Sequence, residues 1–120
     1  MPAANAFAKI CPSRSVLARI GEKWAVLVLV SLSGGARRFG ELRRSLEGVS
    51  QKMLTKTLRN LERDGLIKRT LFDERPLRVE YELTAIGRSL LPIMEALKVW
   101  AEAHLTQIER SQSTYDARHS

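Results

Sequence analysis

The spacing of hydrophobic positions changes several times along the chain, and each change predicts a separate element. Val16, Leu17 and Ile20 recur at helical spacing after Pro12, which suits the first turn of a helix because its missing N–H is not needed there. The run Trp24–Leu32 is apolar on every side, so its pattern fits a buried helix or a buried strand. We predict a helix, because a strand would need partners on both sides and the chain offers few.

The stretch from Ser50 to Gly65 has the strongest pattern. Leu54, Leu58 and Leu61 fall together on a helical wheel. The opposite side carries four cations, which we call the cationic face: Lys52, Lys56, Arg59 and Arg63. Ser50 can cap the first turn with its hydroxyl, and glycine can adopt the left-handed conformation that ends a helix. We predict a helix from Gln51 to Asp64 with one buried face. For an isolated helix, this pattern favours an ordinary surface helix with a solvated charged face, and the rest of the chain reverses that interpretation.

Two short elements precede this helix. Residues 36–38 predict a short strand, and Phe39, Leu42 and Leu46 predict a brief helix that ends near Gly48. Only a few residues then remain before Ser50, which is the length of the turn in a helix-turn-helix unit.

After Gly65 the pattern alternates. Leu77, Val79, Tyr81 and Leu83 alternate with charged residues and predict a strand, with residues 67–72 as its partner. Residues 73–76 have turn chemistry, so the two runs predict a hairpin with a charged tip.

The last pattern is a long helix capped by Thr84. Its apolar residues recur every three or four positions: Ile86, Leu90, Ile93, Leu97, Trp100 and Ile108. Pro92 lies inside it and predicts a kink or a division. We predict a flexible arm over 1–11, a single domain over 12–110 and a mobile tail over 111–120.

Composition narrows the class of protein. The chain has 120 residues, with 20 Lys or Arg against 13 Asp or Glu and a pI of about 10.2. Residues 35–78 hold 12 of the basic and 6 of the acidic residues, so nearly all the excess charge lies there. This imbalance suggests a nucleic-acid partner. One cysteine excludes an internal disulfide and favours the cytoplasm, and the longest apolar run is too short to span a membrane. No cofactor or metal site is indicated.

The order of these elements predicts a winged helix-turn-helix: a mainly α protein with a small β-hairpin (α+β) that binds double-stranded DNA. We expect base readout from the first turn of the cationic helix, by Ser50, Gln51, Lys52 and Thr55. We expect phosphate contacts from Arg37, Arg38, Lys56, Arg59, Arg63, Arg75 and Arg78.

Several blocks resemble the HxlR-type regulators, bacterial relatives of the MarR-like winged-helix proteins. The blocks are Cys11-Pro12, Ile20-Gly21-x-Lys23-Trp24, Arg38-Phe39-x-Glu41-Leu42, Gly48-Val49-Ser50-Gln51-Lys52-Met53-Leu54-Thr55, Leu61-Glu62-x-Asp64-Gly65-Leu66 and Val79-Glu80-Tyr81-x-Leu83-Thr84-x-x-Gly87. The resemblance implies a homodimeric transcriptional regulator, built through its first and last helices. The sequence departs from the family pattern at Glu22, where a second glycine is common, and at Asp73 and Leu77, which are often proline.

The dimer has support from the residues as well. A domain of this size cannot readily bury Leu90, Ile93, Leu97, Trp100, Leu105 and Ile108 on its own elements. We therefore expect the last helix to pack on a second copy, and the operator to be an inverted repeat.

Other classes of function fit less well. Glu80 and Glu82 share a strand face, but a cross-strand pairing with Lys or Arg explains them better than catalysis, and no nucleophile or phosphate-loop motif appears. We therefore predict that the chain is not an enzyme. A winged-helix module that binds proteins without reading DNA would show apolar or acidic residues on the outer helix face, where this chain has cations. Trp24 and Trp100 fit packing better than ligand stacking.

Cys11, the only thiol, allows two interpretations. It precedes Pro12 at the start of a predicted helix, where the helix dipole favours a thiolate, and Lys9 and Arg14 are close in sequence. The resemblance implies the same role, since several HxlR-type regulators sense quinones, aldehydes or oxidants through a cysteine at this position. The alternative is a small buried hydrophobe. The effector of the regulator is left open by the sequence.

Overall fold

The computed structural model describes Ala4, Asn5, Phe7 and residues 12–120. The elements are α1 (Pro12–Ile20), α2 (Lys23–Ser31), β1 (Arg37–Arg38), α3 (Phe39–Ser45), α4 (Gln51–Arg63), β2 (Ile67–Phe72), β3 (Arg78–Leu83) and α5 (Ala85–His119). This order confirms the predicted fold class, mainly helical with a small sheet. The predicted arm over 1–11, including Cys11, lies mostly outside the described residues.

The core forms around α2, which confirms that the apolar run is a helix. Val28 and Leu29 of α2 are fully buried, and the leucines of α3 and α4 pack against the same centre. Glu22, at the position where the family often has glycine, caps α2 by accepting a hydrogen bond from the Ala25 N–H at 3.2 Å. A side chain that satisfies a free amide in the first turn stabilises the helix start, so the departure has a structural reason.

Both ends of α4 follow the predicted chemistry. The Ser50 hydroxyl accepts a hydrogen bond from the Met53 N–H at 3.0 Å. Gly65 has φ +76°, in the left-handed region where a Cβ would be strained. The helix ends at Arg63, one residue earlier than predicted, because Asp64 is its C-cap.

The sheet is antiparallel, with strand order β1-β3-β2. Lys68 faces Glu82 across β2 and β3, as expected for a cross-strand charge pair. For Glu80 the expected Lys or Arg on β2 is wrong, because the register sets Glu80 opposite Thr70; its cationic cross-strand neighbour is Arg38 on β1. The strand β1 thus joins the predicted hairpin and makes it a three-stranded wing.

The last helix, α5, is longer than predicted and is continuous through Pro92. Of the two predicted effects of Pro92, division of the helix is therefore wrong, and a kink stays a prediction. Thr84 caps the helix as predicted, because its hydroxyl accepts a hydrogen bond from the Gly87 N–H at 3.2 Å and donates one to the Gly65 carbonyl at 2.6 Å. Beyond residue 110, where the sequence predicts an unpatterned tail, α5 continues to His119. The mobility of this end and the domain limits 12–110 stay predictions.

Most of the apolar stripe of α5 is exposed in the single chain. Leu90 packs partly against the core, whereas the rest of the stripe is exposed: Ile93, Leu97, Trp100, Leu105 and Ile108. His104 stacks on the ring of Trp100 with centroids 4.5 Å apart. No helix in the described part of the chain is both long and apolar enough to cross a bilayer.

Candidate nucleic-acid interface

The cationic face of α4 is exposed along its whole length. Lys52, Lys56, Arg59 and Arg63 all point to solvent. Leu54, Leu58 and Leu61, on the other side of the helix, are at most 2% exposed. Burial of these leucines anchors the helix to the core and fixes its rotation, so the four cations are presented together.

The first turn of α4 brings the predicted base-reading residues to the same surface. Gln51, Lys52, Thr55, Lys56 and Arg59 line one shallow depression on the outside of the helix. Gln51 and Lys52 are exposed, and Thr55 is half-buried. Ser50 is exposed as well, but its hydroxyl oxygen already accepts the capping hydrogen bond, so Ser50 has one fewer acceptor site for a base.

The turn between α3 and α4 sets the angle of the two helices. Val49 is buried and Gly48 has φ +90°, a conformation that other residues rarely adopt.

Arg43 and Arg44 of α3 are exposed beside this turn, although they were not predicted from the sequence as part of the interface. In the sequence, their position away from the apolar stripe of α3 indicates that they are exposed beside the turn.

The two arginines of β1 lie at the edge of the sheet. Both are exposed, and the Arg37 Nε donates a hydrogen bond to the Ser31 carbonyl at 3.2 Å. The Arg38 backbone N–H donates to Glu41 Oε1 at 2.9 Å, which holds the start of α3 against the strand. The guanidinium of Arg38 forms no hydrogen bond or ion pair with the residues that the structure describes.

Two arginines predicted as phosphate contacts, Arg75 and Arg78, lie near the tip of the wing in different environments. Arg75 is exposed in the loop between β2 and β3. Arg78, at the start of β3, forms ion pairs with Glu74 and Glu80 and lies over the Phe72 ring. Arg78 therefore differs from the exposed cations, because its charge is already paired within the wing. Arg69, not assigned from the sequence, lines a depression with Arg59 between α4 and the wing.

An ion pair joins α1 to the end of α4. The Arg19 Nε and Nη2 donate to the two carboxylate oxygens of Asp64 at 2.7 and 3.0 Å. The hydrogen bond and the charge of Asp64 raise the pKa of Arg19, while partial burial opposes this effect. A cavity of about 250 Å³ opens beside the pair, between α1, α2 and α4. No residue of α1 is buried, so these two hydrogen bonds are a main contact that holds α1 against the end of α4.

These elements define a winged helix-turn-helix protein, in which α3 and α4 form the helix-turn-helix and the sheet forms the wing. The chain belongs to the HxlR-like helix-turn-helix family, whose model matches residues 19–109. It is therefore a transcriptional regulator of the helix-turn-helix type.

Sequence relatives agree with the family. The HTH-type transcriptional regulator YtfH of Escherichia coli (strain K12) is 43% identical over 104 residues, which cover 87% of this chain and 82% of the relative. A regulator of Methanothermobacter thermautotrophicus is 43% identical over 102 residues, covering 85% and 78%.

Solved structures agree in fold. The transcriptional regulator ytfH from Salmonella typhimurium has a TM-score of 0.87 at 41% identity, covering 92% of this chain and 99% of that one. The redox regulator HypR in its oxidized form has a TM-score of 0.72 at 41% identity, covering 78% and 96%. Diamide-treated YodB from B. subtilis has a TM-score of 0.66 at 31% identity, covering 80% and 96%.

Proposed function

We propose that the protein is a homodimeric regulator that binds an inverted-repeat operator in double-stranded DNA. The observation that carries the proposal is the exposed cationic face of α4, held at a fixed rotation by its buried leucines. A helix of this kind fits the major groove of B-form DNA, where base edges can be distinguished. The family places the protein among transcriptional regulators, which supports a role in the cytoplasm on chromosomal DNA.

Within this interface we assign two roles. Base readout falls to the first turn of α4, to Gln51, Lys52 and Thr55 with a smaller part for Ser50, because these residues share one depression at the helix start. Phosphate contacts fall to the exposed cations Arg37, Arg38, Lys56, Arg59, Arg63 and Arg75. Arg78, which the sequence also predicts as a phosphate contact, is engaged within the wing.

The dimer is supported by the exposed stripe of α5. Ile93, Leu97, Trp100, Leu105 and Ile108 are each at least 38% exposed in the single chain. A row of large apolar side chains along one helix is costly in water, and a two-fold partner can cover it with the same surface. A two-fold dimer places its two α4 helices on half-sites that are related by the same symmetry.

We also propose that Cys11 makes the regulator responsive to oxidants or electrophiles. Support comes from the likeness to HypR, which is described as a redox regulator, and to YodB, which has been studied after diamide treatment. Diamide oxidises two thiols to a disulfide and takes up the two hydrogens, so the Cys11 residues of the two subunits could supply both thiols. Operator affinity should change after treatment of the wild type and stay unchanged in Cys11→Ser. If both proteins respond equally, or neither does, Cys11 is structural.

Selection of genomic fragments by the purified protein tests the DNA proposal. Enriched fragments should share an inverted repeat, and their affinity should fall steeply as salt is added, because each phosphate contact releases a counterion. The rival function is a winged-helix module that binds a protein. It would be favoured if no fragment is enriched and binding to duplex DNA shows no dependence on salt.

A further inference from the structure

Arg78 lies opposite Phe72 in the last residue pair between β2 and β3. Its guanidinium carbon lies 4.0 Å from the centre of the Phe72 ring, a distance at which the cation is attracted to the ring face. Its Nη2 lies 3.1 Å from Glu74 Oε1, and its Nε lies 3.4 Å from Glu80 Oε2. One side chain thus contacts β2, the loop and β3.

These contacts close the loop at the tip of the wing. Five residues, 73–77, connect the strands, and the Glu74 N–H donates to the Phe72 carbonyl at 2.8 Å. The ion pair from Arg78 to the Glu74 side chain spans the same loop from its other end. Arg75 follows Glu74 directly, so the position of Arg75 depends on how Glu74 is held.

Arg78 is poorly placed to contact a phosphate. Its side chain is 26% exposed, and its Nε is fully buried without a hydrogen bond. For its Nε and Nη2 to reach the DNA backbone, the guanidinium would have to leave both carboxylates. Glu80, which is itself 24% exposed, would then remain as an unpaired negative charge near DNA. Arg75 can contact a phosphate without losing an ion pair, because it forms none with any residue of the described chain.

We propose that Arg78 is a positioning residue that clasps the wing tip and thereby presents Arg75 to the DNA backbone. The proposal rests on the proposed DNA-binding function and assigns the phosphate contact at the tip of the wing to Arg75 alone. Arg78 acts through Phe72, Glu74 and Glu80 and makes no contact with DNA.

The first test asks whether operator affinity rises or falls in the Glu80→Gln variant. Glu80→Gln removes a negative charge beside Arg78 and leaves the shape of the side chain nearly unchanged. If Arg78 binds a phosphate, this change frees the arginine and operator affinity rises. If Arg78 is a clasp, the tip loosens and affinity falls by roughly threefold to tenfold. The matched control is Glu82→Gln, which removes the same charge from the same strand but lies opposite Lys68.

The second test uses the slope of log affinity against log salt concentration. Each lost phosphate contact lowers the slope by about 0.9, so one substitution in a dimer lowers it by about 1.8. We expect this change for Arg75→Ala, the same change for Arg78→Ala and no further change in the double variant. A slope lowered by about 3.6 in the double variant would show that Arg78 contacts DNA and would overturn the proposal.

Arg78→Lys gives an independent comparison. Lysine keeps the charge but loses the planar fork and the stacking on the ring. If Arg78 holds the wing tip, the salt slope of Arg78→Lys should therefore equal that of Arg78→Ala. If Arg78 contacts a phosphate, the slope should equal that of the wild type.

Amide hydrogen exchange of the free protein separates failure of this proposal from failure of the DNA proposal. The Glu74 amide, which donates to Phe72, should exchange at least severalfold faster in Arg78→Lys than in wild type, whereas amides of α4 should be unaffected. Unchanged exchange at Glu74 would overturn the clasp whether or not the protein binds DNA. Loss of DNA binding by the wild type would overturn the proposed function and leave this result standing.

Discussion

A comparison of Arg59→Ala with Gln51→Ala separates the two roles that we assign to α4. Arg59 lies in the middle of the cationic face, and Gln51 lies at the helix start, in the same depression. If Arg59 contacts a phosphate, its loss removes two contacts per dimer. The salt slope should then fall by about 1.8, and affinity should fall by similar factors for all sequences.

Gln51→Ala should have the opposite pattern. The salt slope should stay at the wild-type value, because no charge is removed. The preference for the operator over a site altered in both half-sites should fall by about 1–3 kcal/mol per half-site, the usual value of a good contact to a base edge. Both residues are exposed, so their removal leaves the core intact, and the thermal midpoint of each variant serves as the control for folding.

Fluorescence anisotropy with labelled duplexes over a series of salt concentrations measures both quantities. Arg59→Ala contradicts the assigned roles if it changes sequence preference and leaves the salt slope unaltered. Gln51→Ala contradicts them if it weakens every duplex equally, because α4 would then not enter the groove by its first turn.

Three further predictions concern the fold and the assembly. Gly87→Ala should destabilise the protein by about 3 kcal/mol in denaturant unfolding, because the added Cβ would overlap the Leu66 carbonyl oxygen; near-wild-type stability would show that α5 does not pack there. Ser50→Ala should lower stability by about 1 kcal/mol and the thermal midpoint by about 4 °C, whereas Ser50→Asp should keep both, and equal loss in the two variants would argue against capping. Leu97→Glu should convert the dimer into a folded monomer in sedimentation experiments, with the exposed Arg110→Glu as the control, and a dimer that persists would place the interface elsewhere.

The sequence was most informative where local chemistry decides the structure. The bounds of α4 follow from a serine that can cap and a glycine that can adopt positive φ, and both act within a few residues of the helix they limit. The buried run at Trp24 was decided by counting possible strand partners, and the structure confirms a helix there. For α4, the nearest neighbours in the sequence contain the physical cause.

Other features depend on distant residues or on the absence of an apolar pattern. The environment of Arg78 requires the hairpin register that sets it opposite Phe72, and alternation alone does not define that register. The last turns of α5 lie in solvent on all sides, so no apolar stripe marks them, yet the helix continues to His119 with a stacked Tyr115–His119 pair at 3.9 Å. The bond between Arg19 and Asp64 joins residues 45 positions apart, and nothing in either segment indicates it.

Hydroxyl-radical footprinting on a selected genomic fragment tests the central claim most directly. We expect two protected half-sites, related by an inverted repeat and centred about one DNA turn, or a multiple of it, apart. Protection should disappear when the cationic face is removed by Lys56→Ala combined with Arg59→Ala, while the fold is retained. A single protected segment without symmetry, or equal protection by the wild type and this double variant, would contradict a dimer that reads DNA through α4.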